Sequence, residues 1–293
     1  MGSPTDIPDV PSWLYALRWL PHGMTGKMRL ARALMSRARS DRPARIHVNG
    51  LHFQVPSTRE PVAMHLIADG AYESTLCTAL QKVLRPGSVF LDVGANIGVL
   101  SIFAAHRWCP QGTVLGFEAS PQIFNHLSAN VQANPHRALD IVHAAVTSHS
   151  GHTLAFYNAP ESKFGTGSLT NRFGTEGVAV PTVALDDAVR AHGIDRVRAI
   201  KVDVEGFELG VFQGATQILT QPSAPVVFFE FNAWSENRPE QGVRAGDAQR
   251  FLLDLGYRLQ RLEDFLAGLL PDSEVIETGS ADLVAIRTSE HLA

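Results

Sequence analysis

The sequence predicts a doubly wound, mostly parallel α/β sheet of about seven strands, with an N-terminal helical extension and an inserted β-hairpin. Three observations predict it. Short apolar runs with little alternation, such as Val89–Val93, Thr113–Phe117 and Pro225–Phe231, read as parallel strands buried on both faces. Stretches with helical spacing separate them. At 94–98 the run Gly-Ala-Asn-Ile-Gly marks a tight strand-to-helix turn, where missing Cβ atoms let a ligand approach the backbone at a helix N-terminus.

Residues 1–11 are proline-rich and expected to be loose. Ser12 to about Arg39 has a helical pattern, with Ser12 as N-cap and Trp13, Leu14, Leu17 and Leu20 on one side. A break at Pro21-His22-Gly23 precedes a second, basic helix. Residues 1–45 therefore read as a helical extension and 46–293 as the main domain. Arg45–Val55 holds two alternating runs around Asn49-Gly50, the signal of a tight hairpin. Thr58 to Leu84 reads mostly as helix and stops at Arg85-Pro86-Gly87. Val89–Val93 is the central strand, and its turn runs into a helix reaching about His106. Thr113–Phe117 ends at Glu118, and Ser120-Pro121 starts a helix to about Asn134.

Asp140–Val146 reads as a third strand. From Thr147 to Asp187 the α/β rhythm breaks. Thr153–Tyr157 and Val178–Val183 read as the inserted hairpin, around the loop Gly165-Thr166-Gly167-Ser168, a place for substrate contacts or a plain surface excursion. Leu185–His192 is a short helix, followed by the strand that opens at Ala199. Pro225–Phe231, a helix over 244–255, a strand near Tyr257–Leu262 and the strand Ala281–Arg287 complete the sheet. Only a loop-like stretch separates the last two strands, which suits an antiparallel pair.

With 293 residues, 45% hydrophobic and 18% charged, the chain has the composition of a well-buried α/β protein. No apolar run is long enough to cross a bilayer, and the N-terminus lacks the order of a signal peptide. Cys77 and Cys109 have neither paired nor metal-like spacing, which suits reduced residues of a cytoplasmic protein. The net charge of −4 hides an asymmetry: residues 1–45 carry eight Lys or Arg against three acids. An acidic main body argues against a broad nucleic-acid surface. The basic helices read first as a lid or homodimer contact beside a cleft, with an anionic membrane as the alternative.

Two places carry candidate chemistry. In the first, Asp92 precedes Gly94 and Gly98, whose spacing is not G-x-G-x-x-G. An acid there repels a pyrophosphate and attracts a cationic ligand such as S-adenosylmethionine. Glu118, about 20 residues past the turn, stands where a carboxylate accepts from both ribose hydroxyls. A nucleotide-dependent oxidoreductase and a non-catalytic scaffold module remain as alternatives. The second place is Lys201-Val-Asp-Val-Glu-Gly206. Period two along a strand puts Lys201, Asp203 and Glu205 on one side, with both acids at the carboxyl end where such sheets bind ligands. Asp203 is the first choice for a base, Glu205 the second, and Lys201 holds their charge in place. Asp203, Glu205 and Glu230 could instead converge on a divalent ion. A plain ion-paired strand end, with Glu205 and Glu208 favouring the next helix, is the bland alternative.

Asp92-Val-Gly-Ala-Asn-Ile-Gly98, Phe117-Glu118, Leu185-Asp186-Asp187 and Lys201-Val-Asp-Val-Glu-Gly206 with Glu208, in this order, resemble the FkbM family of S-adenosylmethionine-dependent methyltransferases. The resemblance runs from about Gly70 to Phe231. It implies a class I, Rossmann-like fold, with Asp92, Gly94, Ala95, Asn96 and Gly98 along the methionine portion of the cofactor and Glu118, followed by Ala119, at the ribose. Tyr72-Glu73 matches the family's pattern before the first strand and implies a supporting role at the cofactor for Glu73. One departure is visible: the proline that usually follows the ribose acid is delayed to Pro121 by Ala119-Ser120. The family's chemistry implies O-methylation of a small hydroxylated acceptor, whether natural product, sugar or lipid.

Overall fold

A computed structural model of the chain describes residues 7–21, 24–37, 43–158, 167–171 and 174–287. A 3-10 helix, Ser12–Trp19, leads to α1 (Lys27–Arg37), the hairpin β1 (Ala44–Val48) and β2 (Leu51–Val55), and then α2 (Pro61–Ala68) and α3 (Ser74–Val83). The alternating part follows: β3 (Val89–Val93), α4 (Val99–Phe103), β4 (Thr113–Glu118), α5 (Pro121–Ala133) and β5 (Leu139–His143). The insertion comprises β6 (Ala145–Val146), β7 (Thr153–Tyr157) and β8 (Gly177–Val183). After it come α6 (Leu185–Ala191), β9 (Ala199–Val202), α7 (Glu208–Gln213), α8 (Thr216–Thr220) and β10 (Val226–Asn232). The chain closes with α9 (Ala233–Glu236), α10 (Asp247–Asp254), β11 (Arg258–Arg261), α11 (Leu262–Ala267) and β12 (Ser280–Ile286).

Seven strands form the main sheet in the order β11-β12-β10-β9-β3-β4-β5. The pairs β10–β9, β9–β3, β3–β4 and β4–β5 are parallel, and β12 is antiparallel to both its neighbours. Central strands such as β3 and β9 are buried over almost their whole length, as continuous apolar runs require when helices cover both faces. The chain builds outward from β3 through β4 to β5, then returns to the other side of β3 with β9. That reversal opens a crevice beyond the carboxyl ends of β3 and β9.

The N-terminal segment is part of the core. Val10, Leu14, Leu17, Ala31 and Met35 are buried in one cluster with Ile46, Phe53, Leu66, Ile97 and Ile102, so the extension shares its interior with the hairpin, α2 and the helix behind the glycine turn. Among the described residues no helix is long and apolar enough to cross a membrane.

Five sequence expectations are corrected. The third strand is divided: Leu139–His143 pairs with β4 in the main sheet, whereas Ala145–Val146 pairs with β8 in a separate three-stranded sheet. An apolar run reveals burial but not the sheet that buries it. The helix over 58–84 is two helices, because α2 ends where Asp69 is taken up by Lys27 and His65, and Glu73 turns left-handed at φ 48° before α3. Ser12 makes no cap, since Pro11 precedes the helix and no side chain bonds its first turn. Trp13 leaves the buried face, because three residues per turn group Leu14 with Leu17 and turn Trp13 to solvent. Finally, α11 lies in the stretch between the last two strands. The expected looseness of residues 1–6, the break at His22-Gly23, Arg39 and the loop residues Gly165 and Thr166 lie outside the described residues.

Candidate active site

β3 ends in Asp92-Val93, and Asp92 is fully buried. Its Oδ2 accepts from Ser101 Oγ at 2.5 Å on α4, while Oδ1 has no hydrogen-bond partner and lies 3.8 Å from Lys201 Nζ. Burial pushes the Asp92 carboxyl up. Lys201, buried on β9, donates from Nζ to Gly94 O at 2.8 Å and stands 3.5 Å from Asp203 Oδ2. Burial alone works against its charge, but Asp203, Asp92 and Glu73 outweigh it and hold the ammonium above its ordinary value. One buried cation thus balances carboxylates that would otherwise repel one another.

The same lysine links the glycine turn to the end of β9. Asp203 N donates to Val93 O at 3.1 Å, and a Cβ on Gly94 would fall 1.9 Å from Asp203 O. Gly94 also has φ 76°, so position 94 requires glycine on two grounds. On the other side, Gly94 N and Ala95 N donate to Phe117 O at 3.0 and 2.9 Å. Glu118 Oε2 accepts from Asn96 N at 3.0 Å, and Oε1 from Ser120 N at 2.8 Å. Each Glu118 oxygen keeps a free lone pair.

Two cavities meet at this junction. The first, about 640 Å³, is lined by Gly94, Asn96, Glu118, Ala119, Asp203 and Glu205, with Ala144, Ala145 and Phe156 on its far wall. The second, about 750 Å³, opens beyond β9, β10 and β12 and carries Glu73, Lys201, Asp203, Glu230 and Asp282 around Phe228 and Leu262. Among the described residues Asp203 is the one that lines both.

A family model described as the methyltransferase FkbM domain matches residues 92–259, which span the turn, Glu118 and the Lys201–Glu205 segment. The chain belongs to the FkbM methyltransferase family. It is a methyltransferase that depends on S-adenosylmethionine. The hexuronic acid methyltransferase AglP of Haloferax volcanii is 28% identical to it over 236 residues, 78% of this chain and 89% of that protein. The 31-O-demethyl-FK506 methyltransferase FkbM of Streptomyces tacrolimicus is 32% identical over 162 residues, 45% of this chain and 60% of that one. The crystal structure of a methyltransferase FkbM from Methylobacillus flagellatus aligns with a TM-score of 0.42 at 14% identity, covering 76% of this chain and 52% of that one.

Within this FkbM methyltransferase, Gly94, Asn96, Glu118 and Ala119 line the first cavity as a group, whereas Asp92, Ala95 and Gly98 stand behind it and shape the turn. Glu73 is on the wall of the second cavity. The expected alignment of Lys201, Asp203 and Glu205 is corrected: β9 ends at Val202 and Glu205 is left-handed at φ 56°, so period two stops and Glu205 faces the first cavity while Lys201 faces the second. Glu205 and Glu230 line different cavities, and among the described residues no group of three His, Cys, Asp or Glu is placed to hold a metal ion.

Arg238 gave no sequence signal, and Glu208 was marked only as part of the resemblance and as a helix-start acid, not as the acceptor that holds the Glu205 turn. Arg238 is buried 32 positions from Gly206, donates to Gly206 O and to Ser235 O (3.1 Å), and lies 4.0 Å over the Phe207 ring. Glu208 accepts from Gly206 N at 3.1 Å and Val204 N at 3.3 Å. Together they fix the turn that carries Glu205. Ala144 and Ala145 were legible only as strand, because nothing local marks the point where a run changes sheets.

The site carries unusual protonation. Burial pushes Glu118 and Glu208 up to about 7, against backbone donors that favour the ionised form, and the N-cap Glu60 of α2 is raised to about 7 in the same way. Unfolded, all three titrate at about 4.5. From pH 8 down to 6.5 the folded state therefore binds protons that the unfolded state does not, and stability rises as pH falls. Each half-protonated glutamate contributes a slope of about 0.7 kcal/mol per pH unit. Below 6.5, His126 and His136, held under their ordinary value by burial, oppose the trend. The ligand-free protein is expected to melt at a higher temperature at pH 6.5 than at pH 8 by scanning calorimetry; an equal or lower value shows that these glutamates are ionised in the fold.

Proposed function

We propose that this methyltransferase holds S-adenosylmethionine in the first cavity and methylates a hydroxyl of a small molecule held in the second. The observation that carries the reading is Asp203, a residue that borders both spaces. The first cavity brings the glycine turn and Glu118 to one space, and the free lone pairs of Glu118 suit vicinal ribose hydroxyls. When bound, the cofactor supplies a methyl carbon activated by its sulfonium. The protein's own tasks are to align the acceptor oxygen, exclude water and accept the hydroxyl proton. Asp203 takes that proton, and Lys201 holds the carboxylate in position while restraining the turn through Gly94 O.

The second cavity presents Glu73, Glu230 and Asp282, which are acceptors for several hydroxyl donors at once, so a polyhydroxylated acceptor fits it. The names of two relatives support this: one acts on a hexuronic acid and the other on a 31-O-demethyl compound. Residues 46–293 form the catalytic domain in this reading. Cys77 and Cys109, both free, suit a cytoplasmic setting.

Calorimetry with S-adenosylmethionine, S-adenosylhomocysteine and NAD tests the reading. Both sulfur compounds are expected to bind, and Glu118→Ala to weaken them by about 1.5–3 kcal/mol, roughly 10- to 150-fold. Tight NAD binding with no response to either sulfur compound overturns the cofactor assignment.

A further inference from the structure

The 3-10 helix Ser12–Trp19 has two apolar faces. With three residues per turn, Leu14 and Leu17 stand on one, and Trp13, Ala16 and Trp19 on another. Leu14 and Leu17 are buried, whereas Trp13 is 53% exposed and Trp19 is 91% exposed. Met24 in the adjoining turn and Leu30 on α1 are 46% and 44% exposed. Four of the nine large, exposed hydrophobic side chains among the described residues therefore fall between Trp13 and Leu30, while the other five are scattered over the rest of the chain. Single exposed hydrophobics are ordinary, but a concentration of them marks an interaction surface.

This corner is tied to the body and does not hang as a lid. Arg18 donates from Nη2 to Leu66 O at 2.7 Å and to His47 O at 3.0 Å, and from Nε to Ile67 O at 3.2 Å, closing the C-terminal end of α2. Its guanidinium lies 4.2 Å over the Tyr15 ring. Lys27 is buried, pairs with Asp69 Oδ1 at 2.8 Å and donates to Leu20 O at 3.0 Å. With these two cations used for anchoring, the face bearing the tryptophans is held outward.

Charge identifies what it meets. Arg29 and Arg32 are exposed on α1, which packs against the 3-10 helix. Residues 10–40 contain no Asp or Glu, so Arg29 and Arg32 stand among the exposed apolar side chains in a stretch without acids. Tryptophan has an apolar ring and an N–H donor and is at home at the headgroup level of a bilayer, with arginine against acidic lipids. We propose that this corner seats the protein on an anionic lipid surface, with Trp13 and Trp19 in the headgroup layer and Arg29 and Arg32 against acidic headgroups. The seat is independent of the methyl-transfer reading, but it lies near the site: Arg18 packs at 3.3 Å from where a Cβ on Gly70 would stand, three residues before Glu73 of the second cavity.

The test uses the full chain with vesicles of phosphatidylcholine alone and of phosphatidylcholine mixed with phosphatidylglycerol, read by co-sedimentation and tryptophan emission. Binding to the mixed vesicles with a blue shift is expected. Trp13→Ser with Trp19→Ser, and separately Arg29→Glu with Arg32→Glu, should each reduce binding about tenfold or more without changing the melting temperature or cofactor affinity. Deletion of residues 1–40 is avoided because it opens the shared core. Failure to bind mixed vesicles, undiminished binding by either double variant, or a dimer in analytical ultracentrifugation that the Trp variants convert to monomer would each overturn the proposal.

Discussion

Asp203→Asn is expected to reduce methyl transfer on the order of 10²-fold or more, the range for losing a positioned base, while leaving the fold and cofactor affinity nearly intact. The separation of effects follows from how the residue is used. Its backbone does the structural work: the N–H donates to Val93 O at 3.1 Å and the carbonyl packs against Gly94. Its side chain is 29% exposed and held 3.5 Å from Lys201 Nζ, and the residue lines both cavities. Asparagine keeps the shape and loses the ability to take a proton. Lys201 keeps Gly94 O and the charge of Asp92, so it is not stranded. Single-turnover assays over a panel of hydroxylated acceptors, with cofactor affinity measured in parallel, give the result. Normal turnover by the variant would make Asp203 structural and move the base elsewhere on the cavity wall.

Gly94→Ala is expected to remove cofactor binding and to cost stability, because two penalties coincide there. An L-residue at φ 76° costs about 1–2 kcal/mol in the left-handed region. The added methyl would stand 1.9 Å from Asp203 O, a backbone atom just past the end of β9 in a residue whose N–H is bonded to Val93 O, adding about 1–3 kcal/mol of overpacking. Gly87→Ala is the control: at φ 83° with nothing within 4 Å of its Cβ, it carries the conformational penalty alone. Thermal denaturation and calorimetry of the pair resolve the two terms. Equal destabilisation of both variants, with cofactor affinity preserved at 94, would show that the contact relaxes.

The parts of the fold that sequence reasoning reached are those whose determinants are local. Val89–Val93 is strand β3 because an apolar run stops at a glycine. Asn49-Gly50 makes a hairpin because both residues take positive φ, 51° and 79°. Ser120-Pro121 starts α5, with Ser120 Oγ accepting from Ile123 N at 3.3 Å. The glycine turn and Glu118 were legible for the same reason, each sitting at the end of its own strand. What escaped is tertiary. Val146 pairs with Val183, 37 positions on, and nothing near Ala144 announces the change of sheet. Glu205 leaves the strand because the next turn is held by Arg238 and Glu208. The second cavity draws Glu73, Glu230 and Asp282 from three separate elements, so no spacing in the chain brings them together.

The placement of β12 bears on how the protein is made. It is synthesised after β11 yet lies between β11 and β10, so the sheet cannot close in the order in which the ribosome delivers it. Until residues 280–286 have emerged, β10 offers nascent-chain neighbours an open, unpaired edge carrying Val226, Val227, Phe228 and Phe229, the kind of strand that invites mispairing. Its completion also places Asp282 opposite Glu230. The wall of the second cavity is thus completed only after β11 has been made, and a chain stopped before residue 280 lacks Asp282 on that wall.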